Sequence, residues 1–157
     1  MAPNTTRLTQ RINAPPARVY RALIEACAVA TWMVPDDMTS EVHTFDGREG
    51  GLFRISLTYD APTGTGKTSA HTDTHHGRFV RLVPGQEVVE VLEFETTDDS
   101  LRGEMTITFT LTEVEGGTEL LAVHENLPPG LAPADNELGW RLSLEKLARL
   151  VEAGQLP

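Results

Sequence analysis

From Met105 to Thr112 the chain alternates without a break. Met105, Ile107, Phe109 and Leu111 are separated by Thr106, Thr108, Thr110 and Thr112. Strict period-two alternation of this kind belongs to a β-strand with one buried face and one wet face. The strand ends at Glu113-Val114-Glu115, turns at Gly116-Gly117 and restarts at Thr118-Glu119-Leu120, so it is one arm of a hairpin. The second arm runs through His124 into a Pro/Gly segment. A closing helix over 133–153 follows, with Trp140, Leu144, Leu147 and Val151 on one stripe. A hairpin followed by a long helix predicts a curved sheet wrapped round that helix, with a pocket between them.

The hairpin can be registered. With Gly116-Gly117 as a two-residue turn, Glu115 pairs with Thr118, Phe109 with His124 and Leu111 with Ala122. Directly opposed residues share a face, so His124 is expected to point inward; a bulge at the turn would reverse that. The same reasoning at Pro84-Gly85 pairs Leu82 with Glu87, Phe79 with Glu90, Gly77 with Leu92 and His75 with Phe94. Here both faces carry apolar residues. Either Glu90 lies inward with Val88, Leu92 and Phe94, or Val80, Leu82, Val89 and Val91 form the core side.

The remaining elements follow from pattern. Residues 7–13 alternate and read as a first strand. Asn13-Ala14-Pro15-Pro16 opens a helix with proline at its start. A second short helix covers 27–33 and stops before Pro35. Strands are expected at 39–45, 51–59, 71–82, 87–95, 104–113 and 118–125, joined by turn sequences such as Asp46-Gly47. The result is an α+β domain on an antiparallel sheet, with one domain over 1–157 and a core at about 8–152. Leu138 and Leu142 lie off the helix's main stripe. That implies cover from the 126–133 loop or from a second subunit in a homodimer.

Composition narrows the function classes. The 157 residues carry a formal charge of −10, which disfavours nucleic acid and anionic membranes as partners. The first twelve residues lack an apolar signal core and no run reaches spanning length, so a cytoplasmic protein is expected. One cysteine, Cys27, rules out an internal disulfide; its apolar neighbours suggest a buried thiol.

Three groups of residues could carry chemistry. Gly64-Thr65-Gly66-Lys67-Thr68 imitates the end of a phosphate-binding loop, but a strand rather than a helix is expected after it, so it reads as a hairpin loop. His71, Asp73 and His75 share one face of a strand and offer nitrogen and oxygen donors for a metal; a solvated strand face is the plainer reading. Glu90 with His124, or alternatively with His75, is the candidate acid–base pair. Glu90, if inward, is a carboxylate in apolar surroundings with a raised pKa. No cofactor is implied.

The order and spacing of several segments resemble a known family. They are Ala14-Pro15-Pro16-Ala17-Arg18-Val19-Tyr20, Trp32 with Pro35, Arg48-Glu49-Gly50-Gly51, Gly77-Arg78-Phe79-Val80-Arg81-Leu82-Val83-Pro84, Gly116-Gly117-Thr118, and Gly139-Trp140 with Leu144 and Leu147. The chain resembles the START-like (SRPBCC) superfamily, in the branch of bacterial homologues of the activator of the ninety-kilodalton heat-shock chaperone's ATPase. The resemblance implies a helix-grip fold, with about seven antiparallel strands around a long C-terminal helix and two short helices at one edge. It also implies a cavity for a hydrophobic ligand, and some relatives are cyclases or hydrolases. It carries over no catalytic residue. The eukaryotic activator has an additional N-terminal domain, which nothing before Arg7 is expected to supply.

The expected function is therefore binding of a small hydrophobic ligand. Trp32, Phe53, Ile55, Met105, Ile107, Phe109 and Trp140 are the expected walls, and Glu90 and His124 the expected polar contacts. The 60–70 loop and Pro128-Pro129-Gly130 are candidate entrance elements. An enzyme using the same cavity and a chaperone-associated interaction protein are the alternatives.

Overall fold

A computed structural model describes residues 4–33, 38–59 and 72–154. The elements in chain order are β1 (Thr6–Ile12), α1 (Pro16–Ile24), α2 (Ala26–Trp32), β2 (Met38–Phe45), β3 (Leu52–Tyr59), β4 (Thr72–Val83) and β5 (Glu87–Phe94). A single 3₁₀ turn at Asp99–Leu101 precedes β6 (Met105–Val114), β7 (Gly117–Glu125) and α3 (Pro133–Glu152). The seven strands form one antiparallel sheet in the order β1-β7-β6-β5-β4-β3-β2. Strands β2 to β7 make a continuous meander, and β1 closes its far edge against β7. This is the expected α+β helix-grip architecture, with α1 and α2 bridging the two sheet edges in sequence.

Local sequence explains the helix boundaries. Pro15 is the extended N-cap of α1 and Pro16 its first residue, where a missing N–H costs nothing. Glu25, extended, ends α1 and starts α2. The helix α3 begins at Pro133 with Asp135 in its first turn and Arg149 in its last, each complementing the helix dipole. Two long-range bonds seat its C-terminal end: Arg18 donates to the Val151 carbonyl at 2.7 Å, and the Asn13 N–H donates to Glu152 at 2.9 Å.

The β6–β7 register differs from expectation by two residues. Val114 pairs with Gly117, so Ile107 rather than Phe109 faces His124, and Phe109 faces Ala122. The turn is Glu115-Gly116, with Gly116 left-handed at φ 78°; a left-handed glycine is what a two-residue turn admits without strain. A shift of two preserves every face, and His124 is buried as expected.

At the β4–β5 hairpin, the pairs His75–Phe94, Gly77–Leu92 and Phe79–Glu90 stand as expected. Nearer the turn, Leu82 pairs with Val88 and Val83 with Glu87, because a bulge lies between Phe79 and Arg81. The turn spends one more residue than expected, and the bulge at Val80 takes up the difference. A second bulge lies between Val42 and Thr44 in β2. Bulges bend a strand and deepen its twist, as a sheet wrapping a helix requires.

Two other expectations need correction. Cys27 is exposed: α2 turns Ala28, Val29 and Trp32 inward, and Cys27 falls outside that arc. Leu138 and Leu142 are 62% and 54% exposed, so the 126–133 segment does not cover them. That segment docks elsewhere. The Gly130 N–H donates to the Ser100 carbonyl, and the Leu127 N–H donates to the Asn4 carbonyl.

Candidate functional site

The inner faces of β3 to β6 meet α2 and the first three turns of α3 around a cavity of about 220 Å³. From the sheet come Leu57, Asp73, His75, Glu90, Leu92, Phe94, Met105 and Ile107; Met33 follows α2. From α3 and the residue before it come Leu131, Asp135, Asn136, Gly139, Trp140 and Ser143. A much smaller gap of about 10 Å³ lies behind, between α1, α2 and the sheet. Trp32, Phe53, Ile55 and Phe109 line this gap, and Glu90 borders both spaces.

The orientation left open by the sequence is resolved at Glu90. Its residue is 5% exposed, and its same-face neighbours Val88 and Leu92, with Phe79 opposite, are buried. Val89 and Val91 are half-buried and Val80 is exposed, so the Glu90 face is the core side. Among the described residues Glu90 makes no hydrogen bond or ion pair. Burial alone pushes its carboxyl up to about 8, because desolvation penalises the charged form. At neutral pH it is mostly a neutral acid, capable of donating one hydrogen bond or, once ionised, of accepting several.

His124 is fully buried and lines neither space. Its Nδ1 lies 2.8 Å from the Asn136 side-chain nitrogen, so the amide donates to the ring; its Nε2 has no partner among the described residues. That ring sits edge-on to Trp140 at 4.7 Å. Burial pulls its pKa down to about 4, leaving it neutral near pH 7. His124 thus supports Asn136 and Trp140, and those two residues meet the cavity.

Trp32 is held by a 2.8 Å bond from its indole N–H to the Ala22 carbonyl. It packs on Trp140 at 6.0 Å, and Phe109 does the same from the sheet. The aromatic cluster therefore forms the back wall behind Trp140. Asp73 and His75 lie on the cavity lining, whereas His71 falls outside the described residues, as do the 60–70 loop and the phosphate-loop imitation. Among the described residues no group of three His, Cys, Asp or Glu converges as a metal site.

Asp135, Asn136 and Ser143 were not anticipated. Asn136, Gly139, Trp140, Ser143 and Leu147 recur at helical spacing, so polar residues on the N-terminal extension of the Trp140 stripe were the available signal.

A seven-stranded sheet gripping a terminal helix, with an apolar cavity holding a few buried polar groups, defines a START-like domain. The sequence profile described as "Activator of Hsp90 ATPase homolog 1-like protein" matches residues 13–152, and the chain belongs to that family. A crystal structure of a protein from Chromobacterium violaceum is similar at 36% identity and TM-score 0.86, covering 96% of this chain and 99% of that one. Structures from Rhodobacter sphaeroides (19% identity, TM-score 0.79, covering 97% and 94%) and of an AHSA1-like protein from Aeromonas hydrophila (19%, 0.72, 98% and 95%) share the fold. Comparison with curated proteins gives no match. No described helix is long and apolar enough to cross a membrane.

Proposed function

We propose that this chain is a cytoplasmic binding protein for a small, largely apolar molecule held between the sheet and α3. The observation that carries the reading is Glu90, a buried carboxyl without a partner among the described residues, bordering a cavity of about 220 Å³. Buried polar groups are almost always satisfied, and a ligand in this space would complete a carboxyl that borders it unpaired. Apolar walls from Leu92, Met105, Ile107 and Trp140 would supply affinity by removing ligand surface from water. The formal charge of −10 argues against nucleic acid as the partner.

Native mass spectrometry of gently purified protein, with thermal melting against one- and two-ring compounds, tests this. The expected result is a bound mass lost on denaturation, or a melting temperature that climbs with ligand concentration. A bare-chain mass together with no shift from any compound would end the reading. A catalytic role is favoured by one observation, the carboxyl poised near neutrality at Glu90; turnover of a bound compound that Glu90→Gln abolishes would establish it. The family's name carries chaperone activation. Association with such a chaperone, salt-sensitive and indifferent to cavity ligands, would replace the binding role.

A further inference from the structure

We propose that the molecule taken up here is an amine that binds as its ammonium ion, with the charge at Glu90 and a one-ring apolar body against Trp140, Leu92 and Ile107. The inference rests on the ligand-binding reading and narrows it to a chemical class.

The sign of the lining carries the argument. Three acidic side chains border one cavity: Asp73 from β4, Asp135 from α3 and, held mostly protonated until a cation arrives, Glu90 from β5. Among the described residues no lysine or arginine lines it. Among the described residues, the cavity that Glu90 borders is lined by Asp73 and His75 on β4 and Asp135 on α3 as titratable groups, while β3, β6 and the residue after α2 present Leu57, Met105, Ile107 and Met33. His124, behind Asn136, stays neutral above about pH 4. A cleft lined by one sign of charge and walled by apolar groups concentrates the opposite sign, so an anionic ligand is disfavoured and a cation is drawn in.

Glu90 gives the cation a seat. Among the described residues it is the lining carboxyl that is both buried and without a hydrogen bond of its own, so an ammonium there would complete a polar group rather than compete for one. Trp140 and Phe94 add aromatic surface, which attracts cations. Size agrees: an apolar cavity of about 150 Å³ holds benzene, so 220 Å³ admits one ring with a short amino arm.

Binding makes no covalent bond. Since Glu90 is mostly protonated at neutral pH, docking of an ammonium expels the carboxyl proton to solvent, and the two charges pair. Isothermal titration calorimetry with 2-phenylethylamine, 2-phenylethanol and 3-phenylpropanoate reads this directly. Runs at pH 7 in two buffers of different ionisation enthalpy count the protons. The amine, with a pKa of about 10, should bind at least about tenfold more tightly than the alcohol, the weight of a hydrogen bond to a charged group. It should release about one proton, and the anion should bind weakest. In Glu90→Gln the gap between amine and alcohol should close and the proton release vanish.

Equal or weaker binding of the amine, or a preference that survives in Glu90→Gln, overturns the inference while the cavity reading stands. Failure of all three probes to bind overturns both. The unmutated protein's amine preference and proton count decide the matter even if the variant folds poorly.

Discussion

Glu90 and His124 are both buried from solvent, and burial moves them in opposite directions. The Glu90 carboxyl rises from 4.5 to about 8, and the His124 ring falls from 6.5 to about 4. Folding therefore depends on pH through two opposed slopes. Between about 4.5 and 8 the folded chain holds a proton on Glu90 that the unfolded chain releases, so stability falls as pH rises. Between about 4 and 6.5 the unfolded chain protonates His124 while the folded chain does not, so stability falls as pH drops. The two oppose each other near pH 5 to 6, and above 6.5 only the Glu90 slope remains. Glu90→Gln should remove that slope. Urea unfolding at pH 5 and pH 8 should show the variant gaining on the parent toward alkaline pH, by at most about 1.4 kcal/mol per unit. A gap that is constant with pH would mean the carboxyl is not held neutral. Sequence placed His124 inward correctly despite a register two residues off, because side-chain direction repeats every two residues. It left Glu90 undecided because Val88 and Leu92 on one face compete with Val89 and Val91 on the other; only the third dimension shows which set α3 covers.

Among the elements, β4 and α3 each contain a glycine that meets the site differently. Gly77 in β4 pairs with Leu92 and Phe53. A Cβ there would run into the Val91 carbonyl oxygen and lie 2.7 Å from the Phe53 ring. Gly139 lies within α3, at the cavity, and a Cβ there meets nothing within 4 Å. Gly77→Ala should therefore destabilise by about 1–3 kcal/mol through overpacking. Gly139→Ala should stabilise by about 0.5–1 kcal/mol through helix propensity. Chemical denaturation of the two variants beside the parent checks the pair, and the same sign of effect at both would refute the packing described here. Element types were legible because alternation, proline starts and left-handed turn glycines act locally. The bulge at Val80 was not, since it compensates a turn length that no local pattern sets. The role of Asp135 was equally hidden, because an acidic first turn is ordinary helix chemistry.

At the scale of the whole molecule, the cavity is a place where the core stops short of full packing. Interiors normally close to crystal-like density, and a space of about 220 Å³ forfeits contacts that the fold could make. Ser143 tests whether that vacancy is kept for binding. It is 7% exposed, faces the cavity from α3 and makes no side-chain hydrogen bond among the described residues, so replacing it strands no partner. Ser143→Leu would push an apolar side chain into the vacancy and improve helix propensity as well. It should raise stability by about 1–2 kcal/mol, or about 2–4 °C in melting temperature for each kcal/mol at this chain length. The same change should weaken binding of 2-phenylethylamine by at least about tenfold, because ligand and leucine compete for one volume. Calorimetry and melting on one preparation measure both effects. Loss of stability would mean that the walls cannot accept the side chain and the space is smaller than drawn. A gain in stability with binding unchanged would mean that the amine binds elsewhere, and that this vacancy is a packing defect rather than a site.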